Sequence, residues 1–364
     1  MRGSFQIGRL FGIPIRVHYL FFALLALFAV IDARRGGARA GLEGALLITT
    51  LFGCVVLHEL GHSLVARRYG VRVASITLLP IGGVAMMDRI PEDPNKELTI
   101  AIAGPLVNLG IAAVLGGIVY ALYPGRSFIP SEHMAFLPKM VVLNVGLAVF
   151  NLIPAFPMDG GRILRALLAT RIEYTRATGI AASIGRFTAF GFGALGILAL
   201  FAGNPFLLFI ALFVYIGATQ EERAVRMRAL MRDVPVSYAM TTGFGIAAPW
   251  EPIGAVLGRA AQTFQRVFLV THEDRLAGVL TYEAMANAMQ QRGAMTTVGD
   301  VMRTDYPMAS PYDSLLQTHE TMAERDAPVV PVVYMDRVVG LLTAESIGNY
   351  FLAASRSPYG MGGG

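Results

Sequence analysis

Charge is what this sequence has least of. Asp, Glu, Lys and Arg make up 15% of its 364 residues, against about 25% in soluble proteins, and the mean hydropathy is +0.55. That scarcity excludes an ordinary soluble enzyme and calls for several long apolar segments, with room for a separate soluble module. Cysteine is nearly absent: Cys54 is the sole one, which excludes an intramolecular disulfide, and it sits in an apolar segment as a small hydrophobe. No basic run exceeds two adjacent residues. The formal charge of +5 therefore reports membrane orientation, and no nucleic-acid partner is expected. The first apolar stretch, 19–31, follows Arg2, Arg9 and Arg16 as a signal peptide would, but Asp32-Ala33-Arg34-Arg35 stands where a cleavage site should be. It reads as a retained membrane segment.

Five further apolar stretches follow, at 42–66, 98–123, 135–156, 178–202 and 205–218, giving six expected spans. With the N-terminus inside, sixteen Lys and Arg fall on the cytoplasmic side and five, Arg34, Arg35, Arg39, Arg126 and Lys139, on the other. Both termini are expected in the cytoplasm of a multi-pass cell-membrane protein, and the compact chain suits a prokaryote. Residues 74–87, ASITLLPIGGVAMM, carry β-branched residues, Pro80 and a Gly82-Gly83 turn signal, the pattern of a hairpin, and 12–17 is a similar short stretch. Apolar strands beside a bilayer need their backbone groups paired, with each other or with an incoming strand.

From residue 235 the composition turns to that of a soluble α/β module, repeated at an offset of 62 residues. Met240-Thr241-Thr242 recurs as Met302-Arg303-Thr304, Asp274-Arg275 as Asp336-Arg337, and GVLTYE at 278–283 as GLLTAE at 340–345. The expected organisation is a membrane domain at 1–220, a linker at 221–234, repeat copies at 235–296 and 297–356, and a disordered tail at 357–364. The fold class is a membrane α-helical protein with short β-hairpins, joined to a soluble α/β tandem module.

The second apolar stretch contains His58-Glu59-Leu60-Gly61-His62. On a helix, positions 58 and 62 lie one above the other, so two imidazoles can hold one zinc ion, and Glu59, about 100° away, reaches an activated water without becoming a ligand. Three ionisable residues within a span cost roughly 2.5 to 3.5 kcal/mol each, which implies a compensating role. Catalytic zinc takes three protein ligands. Candidates for the third are His18, Asp32, Asp88, His133 and Asp159. Asp159 stands out because it closes an apolar stretch broken by Pro154, Pro157, Gly160 and Gly161, a break tolerated only beside protein or a wet cavity. The rival reading makes Asp159 the cap of a helix starting near Gly161. The orientation count puts 58–62 and 159 at the same membrane depth.

With HELGH at 58–62, AGPLVN at 103–108 and NLIPAFPMDGG at 151–161, the chain resembles the site-2 proteases, intramembrane zinc metalloproteases, in their form with a C-terminal CBS pair. The resemblance implies one zinc per chain held by His58, His62 and Asp159, with Glu59 activating the water. It also implies cleavage of a peptide bond in or near the transmembrane segment of a membrane protein substrate, modulated by the CBS pair. By the same analogy Asn151 and Asn108 position the substrate, with interhelical hydrogen bonding the plainer role for both, and the hairpin at Gly82 and Gly83 accepts an unwound substrate as an added strand. A CBS pair commonly binds an adenine nucleotide beside Thr281 and Thr343. The family's ribose-binding Asp three residues on is replaced here by Ala284 and Ser346, so the pair serves equally as a dimerisation plate joining two chains. A rival reading of the whole chain is a CBS-gated metal ion transporter or channel lined by the same four residues.

Overall fold

The computed structural model describes residues 3–80, 82–88, 91–122, 135–201, 203–273 and 275–356. His133, Arg126, Asp274 and the tail at 357–364 lie outside the described residues. The chain divides into two compact units, Met1–Val225 and Arg226–Gly364.

The first unit opens with β1 (Ser4–Leu10) and β2 (Ile13–His18), followed by α1 (Tyr19–Arg68), β3 (Val73–Leu79) and β4 (Gly82–Met87). The strands form one sheet in the order β1-β2-β3-β4, antiparallel except for the parallel β2–β3 pair, in which Ile15 faces Ile76. The hairpin expected at 74–87 is β3–β4, with Leu79 paired to Gly82. Although continuous, α1 leaves helical geometry at Gly36 and Gly37, the latter with φ of +78°, a conformation that favours glycine. The helix doubles back there. The rings of Phe21 and Phe52 meet edge-to-face with centres 4.7 Å apart, and a Cβ on Gly41 would lie 2.7 Å from the Ala29 carbonyl oxygen. A straight helix would hold Phe21 and Phe52 about 45 Å apart at 1.5 Å per residue. Small residues at Ala29, Ala33 and Gly41 allow the two arms, 19–35 and 38–68, to meet closely.

The helices that follow are α2 (Pro94–Leu122), α3 (Phe136–Asn151), α4 (Asp159–Ala169), α5 (Tyr174–Phe201) and α6 (Phe206–Arg232), whose last residues, from Arg226, belong to the second unit. Among the described residues α1, α2 and α5 are long and apolar enough to cross a membrane, and α3 is a shorter apolar helix. The six apolar stretches of the sequence fall in the two arms of α1 and in α2, α3, α5 and α6. The fourth stops as a helix at Asn151, ahead of its expected end, where Pro154 and Pro157 break the backbone. Residues 221–232 continue α6 as helix.

The second arm of α1 buries two stripes at helical spacing. Phe52, Val56 and Leu60 pack on Ile13, Ile15, Val17, Ile76 and Leu78 of the sheet. Cys54, His58 and His62, each four residues from the next, form a second buried stripe that meets α2.

In the second unit β5 (Gly245–Ala247), β6 (Val267–His272) and β7 (Arg275–Thr281) make one sheet, and β8 (Val329–Tyr334) and β9 (Arg337–Thr343) another. Around them lie α7 (Ile253–Thr263), α8 (Tyr282–Arg292), α9 (Leu315–Glu324) and α10 (Ala344–Arg356). The copies exchange their leading segments. Pro235 bridges Ser314 while Thr297 bridges Pro252, and Thr241 bridges Leu341 while Arg303 bridges Val279. Each of these contacts maps onto its mate by the 62-residue offset. Val236 and Ala239 therefore pack in a core with Leu315, Val330 and Leu342, while Val298 packs with Ile253, Phe268 and Leu280.

Candidate metal centre

The site grows from three helix stripes whose spacings match. On α1 they are Cys54, His58 and His62; on α2 Ile100, Gly104 and Asn108; on α3 Met140, Asn144 and Ala148. All nine are buried. Glycine at 104 is what allows the first two stripes to meet: a Cβ there would lie 2.2 Å from His62 Nε2 and 2.7 Å from His58 Cε1. Gly61 does the same from the other side, since a Cβ on it would lie 2.8 Å from Val107 and 3.0 Å from the Ala103 oxygen.

Asp159 arrives from the break after α3. It is the first residue of α4, with Met158 in the capping position, so the helix starts two residues before the expected Gly161. Its carboxylate turns to the histidines: Oδ2 lies 3.2 Å from His58 Nε2 and 3.1 Å from His62 Nε2, and the two Nε2 atoms are 3.1 Å apart. The turn behind Asp159 is tight. A Cβ on Gly160 would lie 2.2 Å from the Ile153 oxygen, and one on Gly161 would lie 2.6 Å from Phe156 N, so the Gly pair after Asp159 is a steric requirement.

Three donors that each present one lone pair to a common point fit a metal ion, and their outer contacts suit one. His62 Nδ1 lies 2.6 Å from the Ile100 carbonyl oxygen, which only accepts, so Nδ1 carries the proton and Nε2 the lone pair. His58 Nδ1 lies 2.5 Å from Asn108 Oδ1, which fixes the same tautomer. Outer partners of this kind hold metal-binding imidazoles in orientation. The set His58, His62 and Asp159 is the one cluster of this kind among the described residues. Two of the other candidates for third ligand are engaged elsewhere: His18 Nδ1 accepts from Leu20 N at the start of α1, and the Asp32 carboxylate sits against Gly44.

Glu59 is half-buried and lies under β4. A Cβ on Gly83 would come 2.7 Å from Glu59 Cγ, so the glycine predicted to meet substrate also makes room for the carboxylate. Gly82, beside it, has φ of +138°, which favours glycine. Asn108 is fully buried and faces His58, the hydrogen-bonding role across helices that the sequence offered as the plainer one. The recorded bond of Asn151 is to its own helix, Nδ2 donating to the Leu147 oxygen at 3.0 Å. In the second unit the Thr281 hydroxyl accepts from Ala284 N and the Thr343 hydroxyl from Ser346 N, so both threonines cap the helices that follow.

Sequence reasoning missed Gly104 and Asn144. The first had a signal, its place four residues from Asn108 inside AGPLVN; the second had none, being one Asn in an apolar helix.

A profile of peptidase family M50 matches residues 46–127 and 115–192, and a CBS domain profile matches residues 298–352. The chain is 43% identical over 241 residues to zinc metalloprotease MJ0392 of Methanocaldococcus jannaschii, spanning 66% of this chain and 67% of that one. To Rip3 of Mycobacterium tuberculosis it is 29% identical over 372 residues, spanning 95% and 92%. A solved site-2 protease from Methanocaldococcus jannaschii aligns over 60% of this chain and 95% of its own, at 44% identity and a TM-score of 0.46. With two thirds of MJ0392 matched at that identity, and with zinc metalloprotease in the name of that relative, the chain belongs to peptidase family M50, the site-2 proteases, and is a metalloprotease with a CBS fold in its C-terminal part.

Proposed function

We propose that the protein is an intramembrane zinc endopeptidase that hydrolyses a peptide bond in or near the transmembrane segment of a membrane protein. The carrying observation is the convergence of His58 Nε2, His62 Nε2 and Asp159 Oδ2 within 3.2 Å of one another, in buried surroundings beside Glu59. These three residues hold one zinc per chain. When bound, the ion supplies a Lewis acid that activates a water and polarises the scissile carbonyl. Glu59 takes the proton of the attacking water and returns it to the leaving amine nitrogen as the C–N bond breaks.

A transmembrane substrate has its amides bonded within its own helix and must unwind before attack. β4 is the terminal strand of its sheet, and Gly83 lies against Glu59. An unwound segment added along β4 thus passes the general base, its main chain held by strand pairing. Helix-breaking residues in the substrate favour cleavage on this reading, and Asn151, at the end of α3, contacts the substrate only once it turns from its own helix.

The membrane domain at 1–220 and the CBS copies at 235–296 and 297–356 make a multi-pass protein of the cell membrane with cytoplasmic termini. The CBS pair modulates the protease, either through an adenine nucleotide near Thr281 and Thr343 or by pairing two chains. The test of the site is Glu59→Gln. Cleavage of a membrane substrate in proteoliposomes is expected to vanish while elemental analysis still finds zinc. Turnover in that variant would remove Glu59 as the base, and wild type free of zinc would overturn the site.

A further inference from the structure

Behind His58 the polar contacts continue past the first partner. Asn108 Nδ2 donates to Asn144 Oδ1 at 3.0 Å, and Asn144 Nδ2 donates to the Met140 carbonyl oxygen at 2.9 Å and lies 3.5 Å from Cys54 Sγ. Both asparagines are fully buried, at 0% exposure. They occupy two different apolar helices, where an amide without partners costs several kcal/mol.

We infer that Asn144 is a positioning residue for the metal site, acting through Asn108 to fix the tautomer of His58. The direction of the chain is set at its far end. The Met140 carbonyl can only accept, so the Asn144 amide must turn its NH2 group toward it and its oxygen toward Asn108. Asn108 must then present its own NH2 group to Asn144 and its oxygen to His58. His58 is left to donate from Nδ1, which keeps the Nε2 lone pair facing Asp159 and His62. Each amide has a single orientation that satisfies every partner. The two imidazoles are thus both referred to backbone carbonyls, His62 directly to Ile100 and His58 through two side chains to Met140. Without Asn144 the Asn108 amide loses the bond that holds its orientation. A flipped Asn108 offers His58 a donor in place of an acceptor, and the lone pair moves to Nδ1, on the wrong side of the ring.

This inference rests on the proposed metal site, and its test separates the two. Zinc affinity is measured by chelator competition on detergent-purified wild type, Asn144→Leu, Asn108→Ala and the double variant. Outer partners of metal ligands are worth about 10- to 100-fold in affinity, and Asn144→Leu is expected to lose about tenfold or more. The double variant is expected to bind no more weakly than Asn108→Ala, because Asn144 acts only through Asn108. Imidazole 15N spectra of the zinc-free proteins report the tautomer directly: one Nδ1–H form of His58 in wild type, a mixture in Asn144→Leu. If leucine disturbs packing, Asn144→Ser keeps the intrahelical bond to Met140, is too short to reach Asn108, and is expected to show the same loss. Wild-type affinity in these variants, or losses at 108 and 144 that multiply, would overturn the relay alone. Zinc missing from wild type would overturn the metal site and the relay with it.

Discussion

Gly104 has no side chain to contribute, yet the proposed site depends on it. A methyl group there would stand 2.2 Å from His62 Nε2 and 2.7 Å from His58 Cε1, inside the contact limit of both rings. Gly104→Val is therefore expected to strip zinc almost completely from the purified protein, read by elemental analysis, whereas Gly110→Val, where a Cβ meets nothing, keeps it. Gly83 separates binding from chemistry. Gly83→Ala pushes on Glu59 Cγ, at 2.7 Å from the new Cβ, without touching the three donors. Its kcat is expected to fall by about 100-fold, the cost of displacing a reacting group by an ångström, with zinc content unchanged. At this scale the sequence was legible where a helix period alone places residues together, as for His58 and His62. It was not legible where a residue matters through the element it faces. The four-residue spacing of Gly104 and Asn108 in AGPLVN puts them on one helix face without saying that this face lies under two imidazoles, and nothing in α3 distinguishes Asn144 from a solitary polar residue, because both depend on which helix faces meet.

Between elements, a buried ion cluster centred on Arg165 helps to hold the arrangement. Arg165, on α4, donates from Nε to Glu97 Oε1 of α2 at 2.9 Å and from Nη1 to Glu221 Oε1 of α6 at 2.6 Å, and its Nη2 also meets Glu97. Its guanidinium lies 4.9 Å from the ring centres of both Phe156 and Tyr174. Arg165 and Glu97 are 3% and 1% exposed. The cluster therefore fixes α4, which begins with Asp159, against α2, which carries Ile100, Gly104 and Asn108. Breaking a buried pair leaves an uncompensated charge and costs about 3 to 5 kcal/mol, while replacing both partners costs far less. Arg165→Met is expected to lose that much in reversible unfolding from mixed micelles, and adding Glu97→Gln is expected to recover most of it. A double variant as unstable as the single would mean that Arg165 stabilises through its ring contacts instead. The apolar stretches and the break at Pro154 and Pro157 could be read from composition, but not that one helix carries the turn at Gly36 and Gly37 or that α3 already ends at Asn151. The pairing of Arg165 with Glu97 could not, since 68 residues separate them.

Across the whole molecule, the C-terminal repeat shows how a sequence can disclose a unit and conceal its wiring. The constant 62-residue offset identifies two copies, but their cores do not follow the copy boundary. The Val236 segment completes the core of Leu315, Val330 and Leu342, and the Val298 segment completes that of Ile253, Phe268 and Leu280. A third apolar cluster, with Leu269 and Val279 from one copy and Val329 and Leu341 from the other, joins the two. The contact is reciprocal down to single residues: a Cβ on Gly278 would lie 2.6 Å from Met302 Sδ, and one on Gly340 would lie 2.6 Å from Met240 Sδ. Because each copy lends its leading segment to the other, neither closes a core alone. A fragment of residues 235–296 is expected to lack cooperative unfolding in urea by circular dichroism, while 226–356 unfolds in one transition. In that longer fragment Gly278→Val and Gly340→Val are expected to destabilise by similar amounts, since each drives a side chain into the partner copy's methionine. A cooperative transition in 235–296 would show that the exchanged segments decorate two self-sufficient cores, and any signal received by one copy could then stay within it. With the exchange intact, a ligand or partner that shifts one copy must shift the other, so the pair responds as a single element.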